Sequence, residues 1–215
     1  MNTSTTVVTA STSRFTTRGF WEGLWRSAGL QSVGLFIIAL MFHSHQPSLA
    51  AVISGLAVLN LLWFAAALRS TLADAGQGGW GAAATAASAA VGGLLLLLIT
   101  LDAAFGSAGS ENTALTSAIS QLGWSGFVVS SFPRAMLIMA GSFGLWRAKL
   151  LSSGLFAAGV AAVVLVLLGG TTWLNEGVWS PDGIYSRLVS PLIGFMWIAL
   201  VSRVLFRSPA SRAEW

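Results

Sequence analysis

The chain contains no cysteine, which excludes disulfides, thiolate nucleophiles, iron–sulfur clusters and cysteine-based zinc sites. Charge is scarce as well. Only 8% of its 215 residues are Asp, Glu, Lys or Arg, against about 25% in soluble domains. So few charges cannot cover a soluble globule whose composition is 55% hydrophobic. Also missing are a Gly-Lys-Ser/Thr phosphate loop, a His-Glu-x-x-His pair, a nucleophile elbow and a series of intramembrane carboxylates. Each of these marks a chemistry, respectively phosphate cradling, zinc hydrolysis, acyl transfer and proton pumping. Nothing specifies a reaction or a cofactor, and the reading leans away from an enzyme.

What the sequence has is apolar length. Its hydrophobic residues come in blocks near the ~20 residues that cross a ~30 Å hydrocarbon core as a helix. The expected fold is an all-α, polytopic transmembrane bundle of about six spans, occupying 14–207. The spans are read at 27–42, 49–68, 81–101, 124–146, 150–170 and 185–206. Met1 to Ser13 is rich in Ser and Thr and is expected to be a disordered tail; it has neither the basic start nor the apolar core of a signal peptide. Residues 208–215 form a cytoplasmic tail. Arg14, Arg18 and Arg26 around Trp21 and Trp25 suit an interfacial helix leading into the first span. Leu115, Ile119 and Leu122, at helical spacing, suggest a short surface helix ahead of the fourth.

Six spans leave no room for a separate soluble domain. They also sort the charges. Arg14, Arg18, Arg26, Arg69, Arg147, Lys149, Arg203, Arg207 and Arg212 fall on one side; His43, His45, Asp102, Glu111, Glu176 and Asp182 fall on the other, with Arg187. Cytoplasmic loops keep the excess of Lys and Arg, so both termini are expected in the cytoplasm. The net charge of +4 and pI near 11.1 thus reflect topology rather than nucleic-acid binding. The lipid bilayer is the implied partner, together with other membrane subunits or a second copy of the chain.

A few residues need a reason to be where they are. Arg134 falls near the middle of the fourth span, where a charge costs about 2.5–3.5 kcal/mol and turns inward. Pro133 before it frees a carbonyl one turn earlier. Arg134 then either anchors an anionic head group or substrate, or serves as a structural charge on freed carbonyls, on Asn60 or Gln31, or on Asp102. Trp63 and Trp197 lie inside spans and are candidates to line the same cavity, whereas Trp21, Trp25, Trp80, Trp124, Trp146, Trp173 and Trp179 lie at span ends and suit the aromatic belt.

Met41, His43 and His45 alternate in the link between the first two spans. Extended, they would share a face and offer thioether and imidazole to a metal such as copper; in a helix they would point apart. Glu176 and Asp182, in the last link, can form an acid pair or cation site, but Ser180-Pro181-Asp182-Gly183 is also ordinary turn chemistry. Ala84, Ser88 and Gly92 in the third span, with Gly154 and Gly159 in the fifth, allow close helix approach.

From Phe132 onward the chain carries Phe132-Pro133-Arg134, Gly144-Leu145-Trp146-Arg147, the run Lys149-Leu150-Leu151-Ser152-Ser153-Gly154, and Trp197-Ile198 in the last span. This pattern resembles uncharacterised bacterial membrane proteins of the DUF4386 type. The resemblance implies a bacterial inner-membrane bundle and no catalytic role. The expectation is a non-enzymatic membrane protein that acts as an accessory subunit or as a binder of lipid or a small hydrophobe; the alternative is a small transporter or channel with Arg134 lining the pathway.

Overall fold

The computed structural model describes residues 17–108, 113–174 and 176–207, with side chains described from Ser27 onward apart from 105–112 and Arg207. The two expected tails, Arg14 and Glu111 lie outside the described residues. Among the described residues every regular element is helical: α1 Thr17–Phe42, α2 Pro47–Asp74, α3 Gly78–Ala108, α4 Thr113–Val129, α5 Ser131–Arg147, α6 Ser153–Gly169, a π-helical turn Tyr185–Val189 and α7 Ser190–Arg207.

The boundaries have local causes. Pro47 starts α2, at a position whose N–H has no helical partner to lose. At its other end Gly76 takes φ +73, and Gln77 N–H closes onto Leu72 O at 2.7 Å, a left-handed cap that glycine adopts without strain. The α5–α6 link closes the same way through Lys149 at φ 58 and a 2.9 Å bond from Leu150 N–H to Leu145 O. Ser152 caps α6 by accepting from Leu155 N–H.

Four helical lengths are long and apolar enough to cross a membrane: Pro47–Asp74, Gly78–Ala104, Thr113–Arg147 and Tyr185–Phe206. The first and fifth expected spans correspond to shorter apolar stretches, Ser27–Phe42 and Ser153–Gly169. The helix leading into the first span runs unbroken into it, as α1 from Thr17. One expectation changes. The surface helix over Leu115–Leu122 is the leading part of α4, because Gly123 costs a helix interior only about 1 kcal/mol and nothing else there interrupts the ladder. From Thr113 to Leu122 every residue except half-buried Ile119 is exposed.

The helices close a ring in the order α1, α2, α3, α5, α6, α7 and back to α1. Phe64, Leu68, Leu72, Ile138, Leu145, Trp197, Val201 and Leu205 fill its centre, while Leu40, Val52, Leu97, Val164 and Met196 face outward. Apolar outer faces remove the hydrophobic drive between helices once lipid surrounds them, so close packing must hold the ring. Glycines supply it. A methyl on Gly141 would lie 2.6 Å from the Trp197 ring and one on Gly144 2.8 Å from Leu72. Gly29 faces Ser202 and Phe64, Gly159 faces Ser142, and Gly169 faces Ser190 and Ser131.

Replacing Gly141 with Ala is therefore expected to destabilise the bundle by about 1–3 kcal/mol, the usual overpacking penalty. Gly154→Ala meets nothing within 4 Å and should be neutral or slightly stabilising. Thermal unfolding in detergent compares the two; equal melting points would refute the ring-contact account.

Candidate functional site

The long helical length Thr113–Arg147 is broken between α4 and α5, and the break has a sequence cause. Pro133 has no N–H to give to the carbonyl of Val129 and its ring crowds that turn. The main-chain ladder holds up to Ser130 N–H on Gly126 O at 3.0 Å and resumes with Arg134 N–H on Ser130 O at 3.1 Å. Side chains occupy the gap. Ser130 Oγ donates to Phe127 O at 2.6 Å, and Arg134 donates from Nη2 to the same oxygen at 3.2 Å. Arg134 also donates from Nε to Ser130 O at 3.2 Å and from Nη2 to Ser131 Oγ at 2.9 Å. Its guanidinium lies over the Phe127 ring, 4.6 Å from the centroid.

Three of the five guanidinium N–H donors are thus engaged. Nη1 has no protein acceptor, and no carboxylate lies within ion-pair distance of Arg134, among the described residues. The side chain is half-buried. It points back toward the N-terminus of its helix, the direction in which helical side chains lean.

Ser131 fixes the height of this group. Its Oγ and that of Ser190 both face Gly169, the last residue of α6. Arg134 is therefore level with the end of α6 rather than with the middle of the bundle. Ser190 follows the π turn, whose Tyr185 hydroxyl donates to Leu165 O of α6 at 2.7 Å. Thr172 donates to Gly169 O at 2.8 Å and shares a hydrogen bond with buried Ser186. Ser190 Oγ is buried without a hydrogen-bond partner. Two irregular helices, one broken at Ser130 and one opened at Tyr185–Val189, thus meet at one buried group of hydroxyls beside a cation. Serine pairs bend helices by competing for carbonyls, so Ser130-Ser131 before Phe132-Pro133 was the available signal for these residues.

The other candidate residues are not gathered here. Gln31 donates to Ser27 Oγ at 2.8 Å and Asn60 to Leu56 O at 2.9 Å, each within its own helix. Trp63 is 46% exposed on α2. Trp197 is packed in the core, with Nε1 donating to Ser142 Oγ at 2.9 Å and its ring edge-on to Phe64. Met41 belongs to the last turn of α1 and is exposed, while His43 and His45 occupy the following turn, also exposed. The extended link that would align the three is absent. His43 Nδ1 instead lies 3.6 Å from Asp102 Oδ2 at the end of α3, beside a small cleft of about 80 Å³ lined by Phe36, Ala39, Ala50 and Ser54. Among the described residues no group of three His, Asp or Glu side chains gathers that could hold a metal ion.

Glu176 and Asp182 lie in the α6–α7 link. Asp182 accepts from Ser180 Oγ at 2.7 Å, and Ser180 also donates to Gly177 O at 3.0 Å. The Ser180 hydroxyl, then a main-chain donor, then more distant Arg187, hold the Asp182 carboxyl below its ordinary value. That is turn chemistry.

Comparison with known protein families, curated proteins and solved structures finds no match for the chain. Fold and site together define an all-α protein with four membrane-capable helices and a cation seated at a helix break.

Ser180→Ala should raise the Asp182 pKa toward the ordinary 3.8. Because the folded value is the depressed one, the loop order this bond brings is complete above about pH 4 and is lost as pH falls through the folded pKa. An NMR titration of the Asp182 carboxyl carbon checks it; a midpoint unmoved by the substitution would remove Ser180 as the cause.

Proposed function

We propose that the chain is a six-span protein of a bacterial inner membrane, with both termini cytoplasmic, that acts by binding an anionic amphiphile, either on its own or as an accessory subunit of a larger membrane assembly. The side assignment rests on the basic residues Arg69, Arg147, Lys149 and Arg203, which the antiparallel order of helices gathers at one end of the bundle. The bacterial origin rests on the resemblance of the last spans. The single observation that carries binding is Arg134: a half-buried guanidinium, oriented by three hydrogen bonds, with an unused nitrogen and no carboxylate to neutralise it among the described residues.

A cation so placed attracts a phosphate or carboxylate, while the exposed apolar Val129 and Phe132 beside the break offer contact to an acyl chain. Among the described residues the hydrogen-bonded hydroxyls of the site pair with carbonyls, with Arg134 and with each other rather than with a carboxylate or imidazole.

Native mass spectrometry of gently extracted protein tests this reading. Anionic lipid, or a lipid-bearing partner subunit, is expected to copurify. Arg134→Ala should reduce lipid occupancy about ten- to a hundredfold, the equivalent of one charge-assisted hydrogen bond of about 1.5–3 kcal/mol. Strictly monomeric, lipid-free protein would sink the proposal.

The two helix irregularities that meet at Gly169 favour a second reading, a small transporter, since broken helices commonly frame substrate sites in transporters. Liposome flux of an anion that persists unchanged in correctly folded Arg134→Ala protein would count against it.

A further inference from the structure

Arg134 is not the only cation on this side of the bundle. Arg187, in the π turn, places its guanidinium 4.8 Å from the centroid of the Trp124 ring. Trp124 and Phe127 are one helical turn apart on α4, and their rings meet edge to face with centroids 6.2 Å apart. Arg134 covers Phe127 at 4.6 Å. Two guanidinium groups from different segments thus lie over the two rings of a single aromatic pair.

The stacking has a chemical consequence. A guanidinium held over a ring face is attracted to it without spending N–H donors on the contact, so the donors not otherwise engaged remain available to an oxyanion. Arg187 donates from its side chain to no acceptor among the described residues, and no carboxylate comes within ion-pair distance of it there. Asp182 feels its charge but is already held by Ser180.

The placement is also at odds with the charge rule. Arg134 and Arg187 are the basic residues that fall toward the end of the bundle opposite Arg69, Arg147, Lys149 and Arg203. That end, external under the proposed orientation, is the one that ordinarily sheds Arg. Neither of these two cations has a carboxylate within ion-pair distance among the described residues, which leaves both guanidinium groups open to an anion from outside the chain.

We infer that the aromatic step of Trp124 and Phe127 with Arg134 and Arg187 forms a site for a lipid head group carrying two phosphates, one per guanidinium. This rests on the reading of Arg134 as an anion anchor and adds Arg187 as the residue that sets the preference for two charges over one. Phe132, Val129 and Leu188, all exposed and apolar, follow on the same elements and offer the acyl chains a surface.

The test titrates the full chain in detergent with diphosphatidylglycerol, phosphatidylglycerol, phosphatidylcholine and inorganic diphosphate, read by native mass spectrometry. Wild type is expected to bind the two-phosphate lipid about tenfold or more tightly than the one-phosphate lipid, a difference of about 1.4 kcal/mol, and phosphatidylcholine least. Arg187→Gln should bring the two anionic lipids to equal affinity while leaving one-phosphate binding intact; Arg134→Gln should weaken both. Arg187→Lys, which keeps charge but loses the flat stacked fork, should retain part of the preference. If Arg187→Gln leaves the preference unchanged, the two-phosphate inference fails and the Arg134 anchor survives. If wild type binds no anionic lipid, both fail. Inorganic diphosphate binding as tightly as the lipid would overturn the assignment of the ligand as a lipid.

Discussion

Close approach of helices through glycine is the constraint on which the rest of this structure depends. Once the outer faces are apolar, lipid competes with neighbouring helices for the same contacts, and only distance distinguishes a helix partner from an acyl chain. Gly29, Gly141, Gly159 and Gly169 each face a large or hydroxyl-bearing side chain of another helix. These contacts join α1 to α2 and α7, α5 to α7, and α6 to α5 and α7, which covers much of the ring's circumference. Small residues at the crossings thus let the large core side chains, among them Phe64, Leu72 and Trp197, pack closely between helices.

The same contacts carry polar atoms inward at low cost. Ser142 receives the Trp197 indole N–H, and Ser32 and Ser88 donate to carbonyls of α2, so these three buried hydroxyls are satisfied across helices, while Ser130 and Ser180 bond within their own segments. Ser190 and Ser202 are exceptions, buried with no conventional partner, and each faces a glycine of a neighbouring helix, where only weak Cα–H contacts are available to its oxygen. Ser190 stands at the seam between the two irregular helices, so an unsatisfied hydroxyl lies in the same region as Arg134.

At the break, Arg134 does two jobs that pull in the same direction. It supplies donors to carbonyls near a turn that Pro133 disrupts, which stabilises the local backbone where lipid cannot. In doing so it is held rigidly with an unused edge, which is the preorganisation a binding group needs. A purely structural arginine would be expected to end in a carboxylate or to spend all of its donors. This one does neither among the described residues, and a second arginine stands on the adjacent ring.

Sequence by itself determined the helical class, the approximate place of each apolar stretch and the uneven distribution of charge, because all three depend on length and on local composition. The 3.6-residue repeat, Pro47, Gly76 and the Arg residues act through neighbours within a turn, so a linear reading reaches them. It also found Arg134 and the proline behind it. What only the tertiary structure decided was the order of helices around the ring, the height of Arg134 and the company it keeps. Gln31 and Asn60, plausible partners by type, bond within their own helices, since each finds an acceptor one turn away. Trp124, read from its span-end position as a belt anchor, becomes half of an aromatic step because α4 continues through Gly123 and Arg187 crosses to it. Met41, His43 and His45 lose their common face because the link between α1 and α2 coils into a turn. Such pairings depend on how helices cross, and crossing is set by glycines and serines far apart in the chain, which no local pattern encodes.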